Sequence, residues 1–252
     1  MHQDTMTMIR RTTLAALAAP LVLALAACSS SETDLPEGDA IAAIAPPEGQ
    51  QWSDVASETP EGGFVVGNPD APIKLMEYAS LTCPHCKDFA AEADEALHGK
   101  YVASGVVSYE LRNQIHDPID LTMAMLVRCS GPEAFQPLAK QMWDYLPTVS
   151  QLMGSNQEAY KAALQQPEDK RYQAIAQTVG LIDFVAARGI AHDQAMQCLA
   201  DPAKAREILD RSDKQSDELD VTGTPTFFVN GRNIGTHTWE TLEPILQNAG
   251  AR

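Results

Sequence analysis

Two cysteines separated by two residues, Cys83-Pro84-His85-Cys86, stand where an apolar run stops and a helical pattern begins. No other feature constrains the chain as much. Ile73-Lys74-Leu75-Met76-Glu77-Tyr78 reads as a mostly buried strand, and Cys83 to Leu97 as a helix whose propensity is raised by Ala90, Ala91, Ala93 and Ala96. Residues three apart on a helix share a face, so the two thiols can bridge with little distortion. A helix N-terminus offers unpaired backbone N–H groups and the positive end of the dipole, and both favour a thiolate. His85 adds a donor or a positive charge, and Pro84 pre-sets the turn into the helix. A thiol activated in this way attacks disulfides quickly and also leaves quickly. A zinc site would need two further ligands, usually a close pair, and Cys129 and Cys198 lie 69 positions apart. A purely structural Cys83–Cys86 bridge closes too small a loop to stabilise much. The pattern therefore points to thiol–disulfide chemistry without a metal or organic cofactor.

Val106 to Leu111 reads as a second strand, so strand, helix and strand form one parallel βαβ unit. Short apolar pieces at Trp52–Val55 and Phe64–Val66 suit a small edge hairpin. From Asp120 to about Asp220 apolar residues recur at helical spacing, with breaks at Gly131-Pro132, Pro147, Gln166-Pro167, Gly189 and Asp201-Pro202. These predict five or six helices. Strand pattern returns at Thr226–Val229, Asn230-Gly231 is a type I′ hairpin signal, Arg232–Ile234 follows, and Trp239 to Asn248 closes as a helix.

Thr222-Gly223-Thr224-Pro225-Thr226 leads directly into that returning strand. A proline opening a strand sits at an edge or carries a special bond. Cys-x-x-Cys followed, after an insertion, by Gly-Thr-Pro-Thr-Phe-Phe-Val resembles the thioredoxin superfamily across roughly residues 70–250, and Cys-Pro-His-Cys with a helical insertion resembles its DsbA branch. The resemblance implies an α/β thioredoxin fold with an inserted all-helical domain. It assigns Cys83 as nucleophile, Cys86 as resolving thiol and Pro225 as a cis-proline beside them, preceded by Thr224. It also gives meaning to Glu77, six residues before Cys83, as a buried acid beneath the disulfide that passes a proton to or from the resolving thiol. A solvated acid at a strand end is the alternative. Arg112 reads as a surface charge, with pairing to Glu77 as the other option. The implied activity is oxidation of reduced client proteins, with reoxidation by a DsbB-like membrane partner. Two departures bear on this direction: Ala90 stands where the enteric prototype has a further acid, and Thr224 stands where it has Val. Thr is common there in isomerase and reductase relatives, so a reductase or isomerase remains the rival. A redox-inert binding or chaperone lipoprotein is a rival of another class, disfavoured by the intact motifs. Isomerases usually add a dimerisation domain, and only about 40 residues separate Cys28 from Ile73, so a monomer is expected.

Arg10 and Arg11 precede an uncharged run from Leu14 to Ala27, too short to span a bilayer. A basic start, an apolar stretch and small residues before a cut site describe an export signal. Leu25-Ala26-Ala27-Cys28 resembles the lipobox of bacterial lipoproteins, making Cys28 the lipidated residue; cleavage nearby that leaves a free thiol is the alternative. Ser29 then slightly favours the outer membrane over the inner, in a periplasmic, lipid-anchored protein. Residues Met1 to Thr7 look unlike a signal start, so translation is expected to begin at Met6 or Met8 rather than Met1. The remaining four cysteines of an exported chain read as two disulfides, the second joining Cys129 to Cys198; two unpaired buried thiols are the alternative. A net charge of −16 without a basic patch excludes a nucleic-acid surface. The expected organisation is a signal peptide over 1–27, a flexible tether over 28–49, the first thioredoxin part over 50–117, a helical insertion over 118–205 and the second thioredoxin part over 206–252.

Overall fold

The computed structural model of the chain describes residues 38–252. The expected signal peptide, the start codon, the lipidation residue Cys28 and the first part of the tether lie outside the described residues.

A six-stranded sheet carries the fold. Strands β1 (Ala56–Glu58) and β2 (Phe64–Val66) form the expected hairpin, β3 (Ile73–Ala79) and β4 (Val107–Asn113) the parallel pair, and β5 (Thr226–Val229) and β6 (Arg232–Gly235) the returning hairpin. The spatial order is β1-β2-β4-β3-β5-β6, with only β3 and β4 parallel. Between these two central strands runs α1 (Pro84–Ala96), which passes into a π-type turn over Leu97–Val102. At the hairpin tip Asn230 and Gly231 both have positive φ, 50° and 81°, as the Asn-Gly pair requires.

Period-two alternation decides what lies under α1. Ile73, Leu75 and Ala79 of β3 join the main core, whereas Tyr78 packs with Val221 and Phe228 in a separate cluster. Glu77 shares the parity of the first set, so the strand carries its carboxyl into the core. Helix α1 buries Cys86, Phe89 and Ala93 on one face. Phe89 meets Phe227 of β5 at 4.5 Å between ring centroids and Trp239 of α9 (Trp239–Asn248) at 6.3 Å.

Between β4 and β5 lie seven helices rather than five or six: α2 (Pro118–Arg128), α3 (Pro132–Ser155), α4 (Gln157–Leu164), α5 (Glu168–Thr178), α6 (Leu181–Ala186), α7 (His192–Leu199) and α8 (Pro202–Glu218). The surplus comes from short helices, α4, α6 and α7 having only eight, six and eight residues. Pro147 does not break a helix as expected. It sits inside α3, where it removes one donor to the preceding turn, while Phe135, Leu138, Met142, Trp143 and Val149 keep the helix on the core. The expected boundary at 205/206 falls inside α8, so the helical segment continues to Glu218. No helix among the described residues is long and apolar enough to cross a membrane.

The tether reading also needs correction from residue 38 onward. The Gly38 and Ile41 amides donate to Asn248 and Gly250 carbonyls (2.7 and 2.9 Å), and Ile44 donates to Ser104 (2.8 Å). Trp52 Nε1 closes the segment on the Ile44 carbonyl at 2.7 Å. Gly250 has φ 112°, and a Cβ there would lie 2.6 Å from the Asp39 carbonyl oxygen, so the close approach requires glycine. Tether-like composition concealed this docking because main-chain donors and acceptors supply it.

Cys129 caps the C-terminus of α2 and is bonded to Cys198 of α7, with Cα atoms 6.2 Å apart. The bridge spans 69 positions, and chain entropy gives such a loop about 4 kcal/mol as an upper value. Replacing both cysteines with serine should therefore lower the free energy of unfolding by up to about 4 kcal/mol. Alkylation of the denatured, unreduced parent should label neither residue; two labelled thiols would show that the bridge does not form.

Candidate active site

Cys83 occupies the N-cap of α1, with extended backbone (φ −83°, ψ 120°), and Pro84 takes the first helical position. The Lys87 amide donates to the Cys83 carbonyl at 3.2 Å, which leaves the amides of the first turn free to face the Cys83 sulfur. The two cysteines are unbridged, and both are buried. The thiols differ sharply in acidity. The Cys83 thiol is lowered to about 5, first by a hydrogen bond from the Cys86 thiol, then by the Thr224 side chain and the backbone N–H groups of Cys86 and His85. Burial pushes the Cys86 thiol far above the usual range, and donation to Cys83 and the charge of Glu77 push it the same way. His85 thus contributes through its main chain; its side chain lies on the exposed surface beside Pro84.

The Thr224–Pro225 peptide bond is cis, and Cys83 Sγ lies 3.3 Å from the Thr224 carbonyl oxygen. Glu77 is 1% exposed, and its carboxyl is raised to about 8 by burial, with a smaller push from Cys83. The Tyr109 hydroxyl donates to Glu77 Oε2 and opposes that rise. Glu77 Oε1 has no hydrogen-bond partner among the described residues. Arg112 is not its partner. It is half-buried, bonds Glu110 at 2.8 Å and the Tyr78 hydroxyl at 3.0 Å, and so is not a free surface charge either.

The structure thus brings Glu77, Cys83, Pro84, His85, Cys86, Thr224 and Pro225 to one end of α1, while Cys129 and Cys198 form a separate bridge between helices. Such a centre can alternate between a dithiol and a disulfide, with one thiol ready to attack and the other needing a proton on leaving.

Residues 59–248 match the family model described as Thioredoxin. The chain belongs to the thioredoxin family. Within this family its fold is DsbA-like. It is 32% identical to a crystallised protein-disulfide isomerase of Novosphingobium aromaticivorans, covering 73% of this chain and 96% of the other with a TM-score of 0.68. Alpha-DsbA1 of Wolbachia pipientis shares the fold at 23% identity, covering 74% of this chain and 90% of that one, with a TM-score of 0.57. A candidate protein-disulfide oxidoreductase of Rickettsia conorii is 24% identical over 77% of this chain, and the match spans 63% of that relative's length.

One member of this thioredoxin-family site escaped the sequence reading. Tyr109 lies on β4, where Leu75 pairs with Tyr109 and Glu77 with Leu111, so its ring reaches Glu77 diagonally across the parallel ladder. The available signal was shared parity: Val107, Tyr109 and Leu111 alternate onto the same face as Glu77.

The Glu77 carboxyl is raised to about 8, so in the relay role expected of it the group would supply its proton to the departing Cys86 thiolate below that pH and act as the base that closes the disulfide above it. Opening of the disulfide by a thiol should therefore lose this assistance as pH rises through about 8. Glu77→Gln should slow opening on the order of 10²-fold near neutral pH and remove that inflection. A pH–rate profile identical to that of the parent would make Glu77 a bystander.

Proposed function

We propose that the protein is an exported thiol:disulfide oxidase that donates the Cys83–Cys86 disulfide to reduced client proteins. The observation that carries this reading is the unequal pair of thiols: Cys83 lowered to about 5 beside a Cys86 that resists ionisation. Stabilising the Cys83 thiolate stabilises the dithiol form, and a disulfide whose reduced form is favoured is an oxidant. A client thiolate attacks Cys83 Sγ and the Cys83–Cys86 bond breaks. Cys86 leaves with the electron pair and takes the Glu77 proton. A second client thiolate then attacks the client sulfur of the mixed disulfide, releasing an oxidised client and the Cys83 thiolate. The two electrons gained pass to a DsbB-like membrane partner.

The same reading places the protein in the bacterial periplasm as a monomer, lipid-anchored through Cys28 after removal of 1–27, with the outer membrane favoured by Ser29. The tether then runs only from Cys28 to about residue 37, because Gly38, Ile41 and Ile44 bond to the domain. Cys28→Ala should release the protein from the membrane fraction; an unchanged membrane fraction would sink the anchor.

Thr224 and the isomerase described from Novosphingobium aromaticivorans favour a second reading, in which the reduced form attacks client disulfides and rearranges them. Two measurements separate the two. An oxidase should have a reduction potential well above that of thioredoxin, about −270 mV, and a value near it would overturn the oxidase reading. The folded Cys83 thiol is depressed from the ordinary value of 9.0 to about 5, so its contribution to the stability of the reduced form is complete above pH 9 and is lost as pH falls through 5. The urea midpoint of the reduced protein should therefore exceed that of the disulfide form near pH 8, and the gap should close toward pH 5.

A further inference from the structure

One fully buried carboxylate touches both loops that flank Cys83. Asp120 stands in the first turn of α2 with no exposed surface. Its Oδ1 accepts from the Leu81 amide at 2.9 Å. Its Oδ2 accepts from Ser80 Oγ at 2.6 Å and from the His116 amide at 3.0 Å. It does not cap α2: Asp117 does, accepting the Asp120 amide at 2.9 Å. On one side, Ser80 Oγ also accepts from the Thr82 amide at 3.1 Å, and the Ser80 carbonyl accepts from the Cys83 amide at 3.2 Å. On the other, His116 Nε2 lies 3.4 Å from Thr224 Oγ1, on the residue whose carbonyl is 3.3 Å from Cys83 Sγ.

We propose that Asp120 is a positioning residue for Cys83, holding the Ser80–Cys83 loop and the His116–Thr224 contact at the spacing that keeps the Cys83 thiolate solvated by protein donors. Burial raises the Asp120 carboxyl from 3.8 to about 6, so the ion carries a desolvation cost near neutral pH that its three donors offset. The chemistry of the donor set selects a carboxylate. Three donors converge on its two oxygens, whereas an amide offers one oxygen and would turn N–H toward the Ser80 hydroxyl and the His116 amide or toward Leu81. Asp120→Asn keeps the volume and breaks the clamp.

This inference rests on reading Cys83 as the attacking thiol. The test is the ultraviolet titration of the Cys83 thiolate in the full-length reduced protein, with the disulfide form as blank and near-ultraviolet circular dichroism as the check on folding. Asp120→Asn should raise the Cys83 pKa by about one pH unit, the scale of one lost hydrogen bond to a charged group, and slow attack on a model disulfide about twofold at pH 6, where the thiolate fraction falls from about 0.9 to about 0.5. Ser80→Ala should shift the titration in the same direction by less. A folded Asp120→Asn protein with the parental Cys83 titration overturns the proposal, even if its thermal stability falls, because a merely structural role moves stability alone. Should Asp120→Asn fail to fold, Ser80→Ala decides: a raised Cys83 pKa supports the clamp and an unmoved one overturns it. A parent whose Cys83 titrates like an ordinary thiol, near 9.0, would overturn the reading of Cys83 itself rather than the role of Asp120 alone.

Discussion

The chemistry of this protein depends on where one sulfur sits. Cys83 Sγ is placed at the mouth of α1, where the first-turn amides, the Cys86 thiol and the Thr224 side chain all donate to it. Each donor serves the ion and none serves a disulfide sulfur equally well, so the energy of the site changes with its redox state. The same geometry denies ionisation to Cys86, one helical turn inside, where burial outweighs the amide donors. A single helix N-terminus therefore produces two unlike thiols, and in the proposed exchange directionality follows from that inequality: the client attacks Cys83, and Cys86, the more deeply buried of the two, leaves.

The buried partner needs a proton on leaving. Glu77 is the source assigned to it in the proposed mechanism, and β3 carries it there by parity: every second residue of this strand points beneath α1, and Glu77 holds one of those places. Burying a carboxyl among Ile73, Leu75 and Ala79 is costly, and the cost is what moves its acidity to about 8, into the range where it can both give and take a proton. Tyr109 limits the rise by donating to the ion. A carboxyl with no donor would stay protonated over a wider range and would serve poorly as a base.

What the sequence made legible was local. Cys83-Pro84-His85-Cys86 at the start of an alanine-rich helix, Asn230-Gly231 between two strand patterns, and Trp239 to Asn248 as a closing helix each encode their conformation within a few residues. The pairing of Thr224-Pro225 with the cysteines was legible only through resemblance, because no local rule joins positions 141 apart. What was not legible depends on contacts between segments. Tyr109 acquires its role only when β4 lies beside β3 in one register. Residues 38–44 dock chiefly through main-chain groups, which leave no signature in composition. Pro147 looks like a helix end until the core contacts of α3 outweigh one missing donor.

The helical segment reaches into the site at two points. Trp143 of α3 donates to the Ser80 carbonyl at 2.9 Å, and Asp120 of α2 bonds Ser80 and Leu81. The loop that delivers Cys83 is therefore shaped by residues from the insertion as much as by the strand it leaves. Helix α2 is a short strut of 11 residues, roughly 16 Å long at 1.5 Å per residue. It carries Asp120 in its first turn and Cys129 at its C-cap, where the bridge to Cys198 fixes it to α7. A helix this short bends little, so its two ends move together. The second disulfide thus secures the far end of the element that holds the active-site loop, and the insertion is part of the frame on which the acidity of Cys83 depends.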